Sequence, residues 1–255
     1  MTNDEPFVLV ERAPPLARLT LNRAAQFNAL STGMVAALKE VLVGVAADTE
    51  LRVVVLGGAG RAFCAGHDLR EMGPQVGMAG FRRLFADCSE LMLAIQRLPQ
   101  PVIARVHGVA TAAGCQLVAM CDLAVASAEA RFAVSGVNLG LFCGTPSVAL
   151  GRNVLRKQAM EMLLTGEFID APTARERGLV NRVVSAAELD AEVERLAATI
   201  AAKSPAAVAA GKRLFYAQLE LGITAAYGLA NEAMACNAVA DDAQRGIATF
   251  TARRK

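Results

Sequence analysis

The 255-residue chain has no tryptophan, two tyrosines and two histidines. So few large rings, a net charge of +2 and scattered Lys and Arg leave little to stack on or neutralise a nucleic acid. No apolar run reaches membrane length. The best candidate, residues 106–120, contains His107 and Gln116 and is soon followed by Asp122, whereas a span needs about twenty residues. The opening MTNDEPF is acidic and lacks the basic and apolar regions of a secretory leader. Among Cys64, Cys88, Cys115, Cys121, Cys143 and Cys236 no two have CxxC spacing. This disfavours a zinc site or a disulfide framework, and no metal is expected. Most of the cysteines are expected to be small buried hydrophobes in a cytoplasmic protein.

What is present is apolar: 54% of the residues, enough for a sizeable core. Residues 7–10 and 16–21 read as strands joined by a turn at Pro14–Pro15. Ser31 can cap a helix to about Ala47, with Met34, Leu38, Val41, Leu42 and Val45 at helical spacing. RVVVLGGAG, residues 52–60, is a buried parallel strand ending in glycines. A helical turn follows at CAGHDLREM, then an amphipathic helix from Phe81 to about Leu98. The next unit repeats the pattern: strand PVIARVHG, small residues VATAAG, helix CQLVAM, strand DLAVAS. Residues 134–144 read as a glycine-spaced loop, and Thr145–Pro146 as the start of a helix to about Leu164. Asp170 and Gly178 bracket a short helix, and LVNRVV returns to strand. From Ala187 onward the pattern is helical, with breaks at Ser204–Pro205 and Gly222. The expected division is an α/β core over 1–195 and a helical segment over 196–255.

The strands at 52–57 and 102–107 each lead through small residues into a helix, where free N–H groups gather. Two such donors aimed at one point would polarise a carbonyl and hold an enolate-like oxygen, each worth roughly 2.7–4 kcal/mol. Glycines that merely serve turn geometry are the competing reading, and spacing leaves both open. A dinucleotide fingerprint fails, because Phe63 stands where the third glycine belongs, and no GxxxxGK[ST] occurs.

LNRAAQFNAL, LRVVVLGGAGRAFCAGHDLREM, HGVATAAGCQLVAMCDLAVAS, RFAVSGVNLGL and DDAQRGIATFTARRK, in this order, resemble the crotonase superfamily, the enoyl-CoA hydratase/isomerase family. The resemblance spans essentially the whole chain. It implies an α/β fold, a spiral of ββα units with a C-terminal helical trimerisation region. It also implies a homotrimer or dimer of trimers that binds an acyl-CoA thioester. No cofactor is implied beyond the coenzyme A of the substrate.

By the same resemblance the oxyanion donors are the main-chain N–H groups of His67, in AGHDL, and Ala113, in AAG. Coenzyme A would lie along Asn22–Arg23, Asn28, Ala29 and Leu30, and along Ala65, Gly66, Asp68, Leu69 and Arg70. Arg23, Arg70 or the terminal Arg253, Arg254 and Lys255 would meet its phosphates, although a solvated surface charge is the default for each. The family's hydratases carry two glutamates, and here those positions hold Gln116 and Gly136. Neither moves a proton, and general acid–base groups contribute on the order of 10²–10⁴-fold. Hydration is therefore expected to be weak or absent. The alternative is a non-catalytic acyl-CoA binder or assembly protein of lipid metabolism. Among substitutes, His67 is the nearest titratable group, but its side chain is expected to point away, toward coenzyme A or solvent, rather than to catalyse. Asp68 reads as a turn cap, Glu71 and Glu90 as helix surface, Cys143 as a packed thiol and His107 as structural.

Overall fold

A computed structural model describes residues 5–252. Its strands divide between two sheets. In the first, β1 (Val8–Ala13) pairs antiparallel with β2 (Leu16–Leu21). Then β3 (Val53–Gly58), β5 (Val102–Val106), β7 (Leu123–Ser127) and β10 (Arg182–Val184) add in parallel, in the order β1-β2-β3-β5-β7-β10. The second sheet is built from short strands: β4 (Ala62–Cys64), β6 (Val109–Thr111), β8 (Arg131–Ala133) and β9 (Ile169–Asp170), in the order β4-β6-β8-β9. Its first three strands are parallel.

Each long strand of the first sheet is followed by a short strand of the second and then by a helix. β3 and β4 lead to α2 (Gly77–Arg97), β5 and β6 to α3 (Ala113–Met120), and β7 and β8 to α4 (Gly144–Asn153). That is the expected spiral of ββα units. The second sheet corrects the reading of 109–114 as a small-residue turn and of 62–64 as loop. Three residues are too few for periodicity to register.

Ser31 caps α1 (Thr32–Ala46), its hydroxyl accepting from the Met34 N–H. The single helix expected from Thr145 to Leu164 is two: α4, and α5 (Arg156–Thr165). Between them Val154 is extended (φ −110°, ψ 144°), and Pro146 is the third residue of α4 rather than its first. Asp170 caps α6 (Ala171–Glu176). Four helices close the chain: α7 (Leu189–Ala201), α8 (Pro205–Gln218), α9 (Ile223–Ala238) and α10 (Asp241–Ala252). Ser204 and Gly222 stand at the N-caps of α8 and α9, where breaks were expected.

The first sheet is buried on both faces, so its central strands read as continuous apolar runs. Val54, Leu56 and Ala104 face the main core beneath α1, α2 and α3. Val53, Val55, Ile103 and Val125 face the other way, against Leu189, Val193, Leu196 and Ala197 of α7. The boundary drawn at residue 195 therefore falls inside a helix that covers the sheet.

The link from α8 to this core is polar. Lys212 Nζ donates to Asp122 Oδ2 (2.6 Å) and to the Ile95 and Gln100 carbonyls (3.0 and 3.1 Å). Asp122 also accepts from the Val102 N–H (2.7 Å) and the Tyr216 hydroxyl (2.9 Å). All three ammonium protons have partners.

Candidate functional site

The second sheet positions the site. Its parallel strands β4, β6 and β8 lie side by side, so their C-terminal ends emerge in a row. Just past them stand His67, Ala113 and Gly136. The turns carrying His67 and Ala113 thus follow the short strands, not the long strands 52–57 and 102–107 from which they were expected. Beyond these ends opens a cavity of about 590 Å³. One side is formed by Ala25, Gln26, Phe27 and Ala29, another by Ala65, His67 and the 68–72 turn. The remainder comes from Phe85 of α2, from Ala112 and Ala113, and from residues 135–146.

The two turns touch. A Cβ on Gly66, whose φ is +89°, would lie 2.9 Å from the Ala112 Cβ and 3.1 Å from the Ala113 nitrogen. Only glycine allows both the backbone angle and that approach. Gly114 is equally confined: a Cβ there would meet the Cys64 carbonyl oxygen at 2.1 Å, so α3 seats directly on β4. Among the described residues the main-chain N–H of His67 makes no hydrogen bond. The Ala113 N–H opens a helix that has no side-chain cap, and it too is without a partner among the described residues. Two unpartnered donors on adjacent strand ends, at one cavity wall, have the chemistry to hold one oxygen.

Ala112, just before α3, has φ 50° and ψ −121°, a region that L-residues rarely enter. Such strain costs about 1–3 kcal/mol, and glycine would relieve it while losing about 0.4–1 kcal/mol through its freer unfolded chain. Ala112→Gly is expected to raise the melting temperature by a few degrees, at about 2–4 °C per kcal/mol. A lowered melting temperature in calorimetry would contradict this account.

Of the residues expected along coenzyme A, Ala29, Ala65, Asp68, Leu69 and Arg70 line the cavity. Asn28 does not. It is fully buried, its amide donating to the Ala59 and Ala62 carbonyls (2.8 Å each) and accepting from the Arg23 N–H (2.9 Å). It fixes the loop over β4. Arg23 lies outside the wall too, with its guanidinium on Ser31 Oγ (2.8 Å), near Asp68 (3.8 Å) and over the Phe7 ring. Arg70 lines the cavity, and among the described residues no carboxylate pairs with it. Arg253, Arg254 and Lys255 lie outside the described residues.

Asp68 caps the turn that follows it, accepting from the Arg70 N–H (3.1 Å). Glu71 is held by the N–H and hydroxyl of Thr32 (2.7 Å each), and Glu90 pairs with Arg97. His107 bonds the Gly60 carbonyl. Gln116 is 4% exposed and its Oε1 has no partner, and it is absent from the cavity wall. Gly136 is in the wall, but a Cβ there would meet the Leu141 carbonyl oxygen at 2.5 Å and Cys143 Sγ at 2.7 Å. Cys143 accepts from the Gly136 N–H (3.3 Å), and burial raises its pKa against that hydrogen bond.

Sequence reasoning missed Phe85, Ser135, Met72 and the apolar group Leu139, Leu141 and Phe142. Phe85 was visible only as part of an amphipathic helix. Nothing local distinguishes a ring facing a cavity from one facing a core. Ser135 Oγ bonds Thr111 Oγ1 (3.0 Å), a contact between two neighbouring strand ends that only the sheet order creates. Among the described residues, no cluster of three or more His, Cys, Asp or Glu is placed to hold a metal ion.

Over residues 11–255 the chain matches the family model for enoyl-CoA hydratase/isomerase. It is 45% identical, over 98% of its length, to enoyl-CoA hydratase domain-containing protein 3, mitochondrial, of Xenopus laevis, and covers 85% of that protein. It is 34% identical, over 97% of its length, to 2,3-dehydroadipyl-CoA hydratase of Escherichia coli, of which 96% is covered. A crystal structure of enoyl-CoA hydratase from Mycobacterium smegmatis matches with a TM-score of 0.96 at 56% identity, covering 98% of this chain and 97% of that one. The human domain-containing protein 3 structure gives 0.94 at 43% identity, covering 98% and 99%. One expectation is overturned here: the vertebrate relatives at 44–46% identity are mitochondrial by name, so the cytoplasmic assignment is withdrawn. With the spiral of ββα units and these matches, the chain belongs to the enoyl-CoA hydratase/isomerase family and has the crotonase fold.

Proposed function

We propose that the cavity binds an acyl-CoA thioester whose carbonyl oxygen is held by the N–H groups of His67 and Ala113, and that ordinary 2-enoyl-CoA hydration is weak. The observation that carries this is the pair of unpartnered N–H groups at the adjacent ends of β4 and β6. They form an oxyanion hole that stabilises negative charge as it develops on the thioester oxygen. Apolar walls from Met72, Phe85, Leu139, Leu141 and Phe142 suit an acyl chain, and the Arg70 guanidinium suits phosphate. The name of the Escherichia coli relative, a CoA-thioester hydratase, supports the same substrate class. Coenzyme A is then part of the substrate, with no separate cofactor.

The family's glutamate positions argue against hydration. Gln116 is neither acidic nor in the wall, and Gly136 has no side chain. A non-catalytic acyl-CoA binder is the second reading, favoured by the same two residues. Assembly as a homotrimer or a dimer of trimers fits α8, α9 and α10. These helices bury no residue within the chain and expose Phe215, Ile223, Tyr227, Met234 and Ile247.

Titration calorimetry with butyryl-CoA, followed by turnover of enoyl-, dienoyl-, 3-oxoacyl- and malonyl-type CoAs, tests both readings. Binding with turnover of one class is expected. Binding without any turnover selects the second reading, and no binding overturns both.

A further inference from the structure

We propose that the His67 imidazole is the proton-transfer group of this cavity, moving a proton between carbons of the acyl chain while the His67 and Ala113 N–H groups hold the enolate oxygen. The inference rests on the thioester reading above. It begins with the other titratable groups at the wall. Asp68 is engaged by the Arg70 N–H and lies beside the Arg23 guanidinium. Cys143 accepts from Gly136, and burial holds its thiol protonated. The Arg70 guanidinium carries donors only and offers no acceptor for a proton.

His67 differs from all of these. Its ring stands edge-on to Phe85 with centroids 5.6 Å apart, and neither ring nitrogen has a hydrogen-bond partner. An unmade buried hydrogen bond is costly to leave in place, so the ring is poised for a partner the protein does not supply. Both nitrogens are covered, and what the residue shows to the cavity is carbon and backbone. A half turn about Cβ–Cγ exchanges each nitrogen with a ring carbon. That torsion is soft, and among the described residues the turn gives up only a weak approach to the Leu30 carbonyl, since neither nitrogen makes a well-formed hydrogen bond. Burial lowers the imidazole pKa, opposed by the Leu30 carbonyl and the Glu71 carboxylate. The resting ring is therefore neutral and able to accept.

The step balances within the thioester. For a 3-enoyl-CoA, an α C–H bond breaks as an N–H bond forms on His67. The electron pair moves into a dienolate, with negative charge on the thioester oxygen in the hole. The imidazolium then returns the proton to the γ-carbon, giving the 2-enoyl isomer, or to the α-carbon, giving back the substrate. The buried cation exists only while the enolate is beside it, so the charge pair forms and vanishes together. No water and no second carboxylate are required, in keeping with Gln116 and Gly136.

The test is exchange of the α-hydrogens of butyryl-CoA in D2O, followed by mass spectrometry, for the full chain and for His67→Gln. This substitution keeps the main-chain donor. Wild-type exchange above the buffer rate is expected, reduced on the order of 10²-fold or more in the variant, with butyryl-CoA binding by calorimetry preserved. Exchange at the wild-type rate in His67→Gln overturns the proposal. So does a wild-type protein that binds butyryl-CoA without exchanging it, which leaves the binding reading standing. Failure of the wild type to bind butyryl-CoA overturns the thioester reading beneath it. If His67→Gln does not fold, His67→Asn is measured against the same criteria.

Discussion

Crotonyl-CoA is expected to be hydrated on the order of 10²–10⁴-fold more slowly by this chain than by a relative carrying both glutamates. Hydration requires one group to deprotonate water and another to protonate the α-carbon. The proposed hole would stabilise the enolate but would neither supply nor remove these protons. At the position we assign to the first glutamate, Gln116 is an amide, and its Oε1 is buried and absent from the cavity wall. At the second, Gly136 leaves no room: a Cβ would sit 2.5 Å from a main-chain oxygen. The pair Gln116→Glu and Gly136→Glu is accordingly not expected to restore hydration, because the 135–143 loop would have to move before the second carboxylate could exist. Absorbance loss of crotonyl-CoA measures the rate directly. A value matching a two-glutamate relative would refute the chemistry assigned to this cavity.

The largest expected effect on stability lies far from the cavity, at Lys212. Its side chain is 7% exposed and that of Asp122 14%. Lys212→Met leaves Asp122 with a buried, uncompensated charge and leaves the Ile95 and Gln100 carbonyls without this donor. Breaking such a pair costs about 3–5 kcal/mol. For a chain of this size that corresponds to a loss of roughly 6–20 °C in melting temperature. Burial lowers the Lys212 pKa and the Asp122 charge raises it, so the ammonium depends on that carboxylate. Because α8 buries no residue of its own, amides of α8 to α10 should also exchange faster with solvent in the variant. The double variant Lys212→Met with Asp122→Asn should recover part of the loss. A single variant within 1 kcal/mol of wild type, by denaturant titration, would mean the network is incidental to stability.

How much was legible follows from how each feature is encoded. Ser31, Asp68, Asp170 and Ser204 cap their helices or turns as their positions announce, since a cap needs only a side chain and a neighbouring N–H. The long apolar runs of β3 and β5 declared a sheet buried on both faces. The short strands β4, β6 and β8 were illegible, because three residues carry no period and their pairing is set by distant neighbours. With them went the reason why His67 and Ala113 meet.

By itself the sequence determined the class of fold and the family, and it singled out His67 and Ala113, both of which line the cavity. Motif order along the chain encodes these, and it survives without coordinates. Only the tertiary structure decided what each side chain does. It turned Arg23 onto Ser31 and Phe7, buried Asn28 under its own loop and set Gln116 outside the wall. It filled the space at Gly136 with a carbonyl, and it left the His67 ring beside Phe85 without a partner. The physical reason is that a side chain's role depends on what lies across from it. At the cavity wall, the turns that carry His67 and Ala113 come from strand ends about forty-five residues apart in sequence, brought together by the parallel pairing of β4 and β6.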